Sequence, residues 1–453
     1  MSDLLKRKIT LLQATSINMI DMVGIGPFVV IPLVIGYFNS SLYIWAWVFG
    51  ALIAYLDGMI WSELGASFPL AGGSYNFLRE AYGRRGGKLM SFLFVWQTSI
   101  QAPLVVASGS IGFAQYVKYL VPLNFYEEKL VSVGVIVCLV ILLYRKIETI
   151  GKLSVLLWVG VMITIIWIIA GGYTHRQIPF HFLPDDYSWF FKAAFWVALG
   201  QASVKTIYSY LGYYNVCHLG GEIIQPQKNI PRSIFISITG IAILYLSMNI
   251  SIAGVIPWQE AQNYSFIVSV FIERIYGTGA AKIATLLVLW VAFASLFAVL
   301  LGYSRVPYAA ALDNNFFRVF KRLHPTKDFP YISLLFIAGL GIIFSLSFSL
   351  KGVISAILAM RILVQFIAQS VGVVLLRKRN KEKVLPFSMW FYPIPVVTSI
   401  LIWLFIFFST GWFALWGTVL AFLGVIAFYI KEYYEKKSNL LKNREEQGTT
   451  SFY

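Results

Sequence analysis

Apolar residues fill this chain in runs too long for strands, and polar residues gather in the short gaps between them. Runs of about 20 residues nearly free of charge are the signature of membrane-crossing helices. They predict twelve spans, at 13–37, 42–67, 88–116, 130–145, 152–172, 189–215, 233–256, 281–306, 331–349, 353–376, 391–409 and 411–431. The turn Ser409-Thr410-Gly411 is short, so the last two spans form a tight helical hairpin. Two stretches fall outside the pattern. Residues 173–188 read as a polar, Pro-containing loop, and 432–453 as a charged, mobile tail.

The expected fold is therefore all-α and integral to a membrane. Of 453 residues, 58% are hydrophobic and 12% charged, with a mean hydropathy of +0.74. A soluble domain carries about twice that charged fraction. No Ser-, Gly- or Pro-rich linker divides the chain, which predicts one membrane domain over 1–431 followed by the tail 432–453. The net charge of +16 invites a nucleic-acid reading, but the cations are spread over alternate loops. One set of loops carries Lys6-Arg7-Lys8, then Arg79, Arg84, Arg85 and Lys88, then Arg145-Lys146, Lys228 and Arg232. It continues with Arg318, Lys321, Arg322 and Lys327, then Arg377-Lys378-Arg379. The other set holds only Lys118, Lys129, Arg176, Arg274 and Lys351. The Lys/Arg-rich side is cytoplasmic, which places both termini there and makes the cell membrane the expected location.

Chemistry classes narrow in the same way. Cys138 and Cys217 offer neither a disulfide framework nor metal-ligand spacing, and the four histidines form no metal motif. No converging nucleophile or acid–base constellation points to an enzyme. Neither a cofactor nor a metal is expected. Channel-type filter repeats or charge rings are not seen. The first apolar run is too long for a cleavable signal peptide.

What stands out is residues 21–28, Asp-Met-Val-Gly-Ile-Gly-Pro-Phe, inside the first span. Gly24, Gly26 and Pro27 are poor helix formers. Backbone freed from a helix at membrane depth survives only against protein or a water-filled cavity. Ser209-Tyr210-Leu211-Gly212 makes a second break in span six. A lone Gly-x-Gly would read as a kink; two breaks at matching places read as a binding site. A half-helix start suits a carboxylate and the opposing carbonyl end suits an ammonium, and an α-amino acid carries both. Spans one to five and six to ten would then be inverted repeats.

Four segments carry a family likeness. GIGPF at 24–28 resembles a Gly-Ser-Gly-Ile-Phe signature in span one. ELGASFPLAGGSYNFLREAYG (63–83) resembles the exit from span two. YSYLGYYNVCHLGGEIIQPQKNIPRSI (208–234) resembles span six with its following Glu-x-x-x-Pro and Ile-Pro-Arg. SRVPYAAALDNNFFRVFKRLHP (304–325) resembles the end of span eight. Together they resemble the amino acid–polyamine–organocation (APC) superfamily of transporters. That likeness implies the five-plus-five inverted repeat of the bacterial leucine transporter, with discontinuous helices one and six. Ile25 and Pro27 depart from the signature. The lysine that many relatives carry in span five is missing from 156–167.

The likeness implies a substrate site at Asp21, Val23, Gly24, Ile25, Gly26, Tyr208, Ser209, Tyr210, Leu211 and Gly212, with Tyr208 at the place of an aromatic gate. Gln101, beside Trp96 and Ser99, is the polar candidate for the opposite wall. Asp21, Lys205, Glu63 and Glu222 are the coupling or gating candidates. Asp21 either faces the cavity or caps its half-helix. Lys205, about a turn before the second break, is expected to pair with Asp21, leaving a formally neutral cavity suited to neutral amino acids. Asp57 in span two is a further intramembrane acid. In the leucine transporter a hydroxyl pair in span eight serves a sodium site, whereas 291–300 here offers only Ser295, so protons or exchange are the expected coupling. The reading is a secondary active permease for amino acids or related amines. Its alternatives are a polyamine or cationic amino acid exchanger and a non-transporting sensor. The loop 117–129 has no cysteine, so no disulfide-linked subunit is expected.

Overall fold

The computed structural model describes residues 5–38, 40–179, 182–183, 187–348, 350–380 and 384–449. Part of the predicted loop 173–188, the basic residues Lys381 and Lys383, and the end of the tail lie outside these. The chain runs through α1 (Leu11–Met22), α2 (Gly26–Phe38), α3 (Ile44–Ser67), α4 (Ser74–Ala81), α5 (Gly83–Leu120), α6 (Phe125–Leu143) and α7 (Ile147–Thr174). It continues through α8 (Ala193–Tyr210), α9 (Asn215–His218), α10 (Pro226–Ala253), α11 (Trp258–Ala261), α12 (Ile267–Tyr276), α13 (Thr278–Tyr303) and α14 (Arg305–Leu312). Last come α15 (Tyr331–Ser347), α16 (Leu350–Arg361), a π-helical turn (Ile362–Ala368), α17 (Gln369–Arg379), α18 (Ile394–Ser409) and α19 (Trp412–Thr449).

Among the described residues, seven helices are long and apolar enough to cross a membrane, and α1 with α2 forms an eighth, bent by 43°. α15 and α18 are apolar but shorter. The protein is an integral, multi-pass membrane protein. Local sequence explains where several helices start. Thr10 caps α1 and Asn124 caps α6, each in a reciprocal box with Gln13 or Glu127 three residues on. Pro226 opens α10, where its missing N–H has no partner to lose.

Glycines set the closest helix contacts. On α3, a Cβ at Gly65 would come within 2.8 Å of Ile230 on α10, and one at Gly50 within 2.8 Å of the Tyr210 ring on α8. With no hydrophobic drive between helices in lipid, such small residues let backbones approach and gain dispersion contacts. The spans 83–120 (α5), 278–312 (α13 with α14) and 355–379 (α16 to α17) are the most enclosed, with 67% of their apolar windows buried in protein, whereas that of α19 buries 17% and faces outward.

Two charged pairs lock the end of the bundle where α3, α9 and α13 finish. Arg305 meets the Glu222 carboxylate in a two-pronged pair at 3.0 and 2.9 Å, both side chains almost fully buried. Arg377 does the same to Glu63 at 2.8 and 2.5 Å, and the Met389 amide donates to the same carboxylate. Beside the first pair, Lys8 and Ile9 amides donate to the Glu222 carbonyl and the Ile224 amide to that of Ile9. Ala71 bridges Leu219 from the other side.

The structure corrects several expectations. α10 begins seven residues before the predicted span, and the loops hold short helices α4, α11, α12 and α14 that the search for long apolar runs passes over. Span ten is interrupted by the π-turn directly after Arg361. The stretch 432–449, for which no element is predicted, continues α19 as helix, because its Lys-, Glu- and Leu-rich sequence has no helix breaker before Gly448.

Candidate functional site

Both breaks are present and touch. Val23, Gly24 and Ile25 separate α1 from α2, and Gly26 is already the first residue of α2. The second break falls two residues later than expected. α8 continues through Ser209 and Tyr210, closing with the Leu211 amide on the Ile207 carbonyl, and the unwound stretch is Leu211–Tyr214. Gly212 turns the chain there with φ +125°, a conformation that favours glycine. A Cβ on Gly212 would lie 2.7 Å from the Met22 amide nitrogen and 2.9 Å from the Asp21 carbonyl carbon.

The freed backbone groups are met by named side chains. The Tyr245 hydroxyl of α10 serves both breaks, bonding the Met22 carbonyl at 2.6 Å and the Ser209 carbonyl at 3.1 Å. Ser295 of α13 donates to the Asp21 carbonyl at 3.3 Å. The Val216 amide donates to Asn18 on α1 at 2.9 Å. Asn215 donates to the Asp21 carboxylate and to the Ala298 carbonyl, both at 2.8 Å. At the start of α2 the first amides have no intrahelical acceptor, as at any helix start. Tyr245→Phe should therefore free one carbonyl in each break. A buried acceptor left unpaired costs about 1–3 kcal/mol, so we expect a lower thermal midpoint in detergent and impaired uptake. An unchanged midpoint would show that the hydroxyl bridge carries no weight.

Between the breaks lies a cavity lined by Asp21, Met22, Gly24, Ile25 and Gly26 from the first break and Tyr208, Ser209, Leu211, Gly212 and Tyr214 around the second. α5 adds Val105 and Gly109, α13 adds Ser295 and Tyr303 among others, and α16 adds Arg361. Tyr208 also bonds Ser108 at 3.0 Å. Eight of the predicted substrate residues thus converge here: Asp21, Gly24, Ile25, Gly26, Tyr208, Ser209, Leu211 and Gly212. Val23 and Tyr210 do not reach the cavity; Tyr210 packs edge-on against Trp47 and Tyr245. Gln101 is fully buried off the lining, facing Tyr303, and the Trp96 indole bonds the Leu420 carbonyl. The α5 wall is Val105 and Gly109, one and two turns further on.

Lys205 does not pair with Asp21. Its ammonium donates to Ser355 at 3.1 Å, because that face of α8 looks toward α16. The cation that shares the cavity is Arg361, which the sequence reading passed over. Its Nε donates to Gln365 at 2.8 Å, its Nη2 bonds the Tyr214 hydroxyl, and its plane lies 5.0 Å from the Tyr214 ring centroid. The signal was present: Arg361 is the sole charge in the apolar run 353–376. Glu63 and Glu222 sit in the ion pairs described above, away from the cavity.

The cavity thus offers one carboxylate, one guanidinium and a fresh helix start, within walls that are otherwise aromatic and apolar apart from Ser209 and Ser295. The model of the amino acid permease family matches residues 9–429. Three Bacillus subtilis proteins are similar along most of the chain. An uncharacterized amino acid permease is 24% identical over 328 residues, 72% of this chain and 74% of that protein. A serine/threonine exchanger is 24% identical over 402 residues, 87% and 89%. An aspartate-proton symporter is 26% identical over 390 residues, 81% and 72%. With its helix-break motifs in place and nearly all of its length matched, the chain belongs to the amino acid permease family of the APC superfamily.

Proposed function

We propose that this protein is a secondary transporter that carries zwitterionic amino acids across the cell membrane by alternating access. The observation that carries the reading is the cavity between the touching breaks, with Asp21 and Arg361 as its opposite charges. The amides at the start of α2 and Arg361 take the substrate carboxylate; the Asp21 side takes the ammonium. Tyr208, Leu211 and Ile25 face the substrate side chain. Arg361 disfavours a polyamine, whose positive charges it would repel. The wider architecture proposed is twelve spans in two inverted five-helix halves, with both termini cytoplasmic. Counting α1/α2, α8/α9 and α16/α17 as one span each, with α3, α5, α6, α7, α10, α13, α15, α18 and α19, supports that number. The Glu222–Arg305 and Glu63–Arg377 pairs then close the cytoplasmic side, and the end of α19 projects beyond the membrane as the tail.

The test is radiolabelled uptake and counterflow in proteoliposomes with neutral, acidic and cationic amino acids and polyamines, under imposed proton or sodium gradients. Saturable counterflow of zwitterionic amino acids is expected, undiminished when choline replaces sodium. Folded protein that binds amino acids without flux would make it a sensor. Flux confined to polyamines would overturn the assignment of the cavity.

A further inference from the structure

Among the described residues three carboxylates are buried, Asp57, Glu63 and Glu222, and Asp21 is half-buried in the cavity; of the four, only Asp57 neither forms an ion pair nor shares a cavity with a cation. Glu222 has Arg305, Glu63 has Arg377, and Asp21 shares its cavity with Arg361. Asp57 is the exception. It sits in the middle of α3 with no exposed surface. Its Oδ2 accepts from the Tyr213 hydroxyl at 2.5 Å, and its Oδ1 has no hydrogen-bond partner. The indole N–H groups of Trp61 on the same helix and Trp403 on α18 face the carboxyl closely enough to act on it, but fall short of full hydrogen-bond geometry. On the next residue of α3, Gly58 abuts Ile234 and Ile238 of α10, which bring no charge. Beyond these, His218 of α9 lies behind the Trp61 ring, and Arg361 lies behind Tyr214. An isolated carboxylate at membrane depth is expensive, so such a group is carried neutral or serves a function.

Its single partner makes the second option concrete. Tyr213 belongs to the unwound stretch of the second break, and its sequence neighbour Tyr214 packs edge-on against it with centroids 5.0 Å apart. Tyr214 stacks on Trp61 at 4.5 Å and holds Arg361 through its hydroxyl. One unwound segment therefore touches Asp57 with one tyrosine and the cavity's guanidinium with the next.

We propose that Asp57 is the proton-carrying group that couples transport to a proton gradient, joined to the substrate cavity through Tyr213 and Tyr214. The inference rests on the amino acid transport reading above. In the arrangement described here the carboxyl, buried without an ion pair, is neutral. A proton from the outer water forms the O–H bond at the unpartnered Oδ1, and that charge is cancelled before the bundle closes over substrate. When the inner side opens and hydrates the break, the O–H bond breaks, the proton passes to cytoplasmic water, and the carboxylate is left charged but wet. One proton accompanies one substrate.

The experiment uses the full chain in proteoliposomes with the membrane potential clamped at zero, and as substrate the amino acid that shows the strongest counterflow. For one proton per substrate, an inward gradient of one pH unit sets a ceiling of about tenfold accumulation. Wild type should accumulate substrate toward that ceiling, with matching proton entry reported by an internal pH dye. Asp57→Asn should lose both, with its accumulation ratio falling to that of no gradient, while exchange of internal for external substrate continues. Gradient-driven accumulation by Asp57→Asn would overturn the proposal. If Asp57→Asn loses exchange as well, Tyr213→Phe decides, since it deletes only the hydroxyl. A pH profile of uptake displaced to alkaline values supports the proposal, because Oδ2 then lacks the donor that favours its charged form; an unmoved profile overturns it. Wild-type protein that exchanges amino acids yet ignores the pH gradient also overturns it, and leaves the transport function standing. Absence of exchange in wild type would instead sink the transport reading itself.

Discussion

Replacing Gly212 by valine should abolish amino acid uptake. Two independent costs meet at this residue. Its φ of +125° is one a β-branched side chain does not tolerate, and holding a residue in such a region costs about 1–3 kcal/mol. The added side chain would also point at the Met22 amide and the Asp21 carbonyl, both backbone atoms that cannot swing aside. Overpacking of this kind typically costs about 1–3 kcal/mol more. Relief requires the two breaks to separate, which dismantles the cavity they form. Gly26→Leu should also block uptake, by pressing a side chain toward the Tyr208 ring, but it meets a movable ring rather than backbone. Gly339→Ala on α15, with nothing within 4 Å of the new Cβ, is the control for adding a side chain at a glycine. Uptake by Gly212→Val at the wild-type rate would mean that the breaks do not meet as described.

Arg361→Gln should produce the second large effect, a loss of selectivity for the carboxylate. Truncating one member of a buried hydrogen-bonded charge pair costs about 2–5 kcal/mol, so the KM for an amino acid should rise by at least about tenfold. Wild type should prefer an amino acid to its decarboxylated amine, and the variant should lose that preference. The same geometry assigns the rescue. Asp21→Asn leaves Arg361 as an uncompensated cation in the cavity, so adding Arg361→Gln should restore part of the uptake. Adding Lys205→Gln should not, because Lys205 is spent on Ser355. Rescue by Lys205→Gln in place of Arg361→Gln would reinstate the pairing that the sequence pattern favours.

That pairing shows what a one-dimensional reading can and cannot see. Gly24, Gly26 and Pro27 in an apolar run announce a break because backbone propensity is a local property. The membrane setting follows from run lengths alone. The second break is legible in kind from its matching place in span six, but lies two residues later than the position predicts. Helix α8 instead continues until Gly212 forces the turn. Side-chain direction is not local. Lys205 lies a turn from the break in sequence, yet the face of α8 that carries it looks toward α16. Gln101 lies on α5 like Val105 and Gly109, but off the cavity lining. Arg361 is legible as a lone charge in a span, but its place at the cavity depends on how α16 packs against the two broken helices, which is not a local property. The Tyr245 bridge carries no sequence signal, since a tyrosine in an apolar run is an ordinary core residue until its hydroxyl is seen against two carbonyls.

The N-terminal stretch has a mechanical consequence for handling the protein. Lys8 and Ile9 are zipped by three backbone hydrogen bonds onto Glu222 and Ile224, immediately past the second break, and Glu222 is itself clamped by Arg305. A load on the first residues is thus delivered to α9 within a few peptide units, with no slack to absorb it. A bulky fusion or an immobilising tag placed there would pull on the segment that follows the second break, and is expected to slow turnover without touching the cavity. The far end of α19 leads away from both breaks along the chain, which makes it the place to attach a label when motion is to be measured.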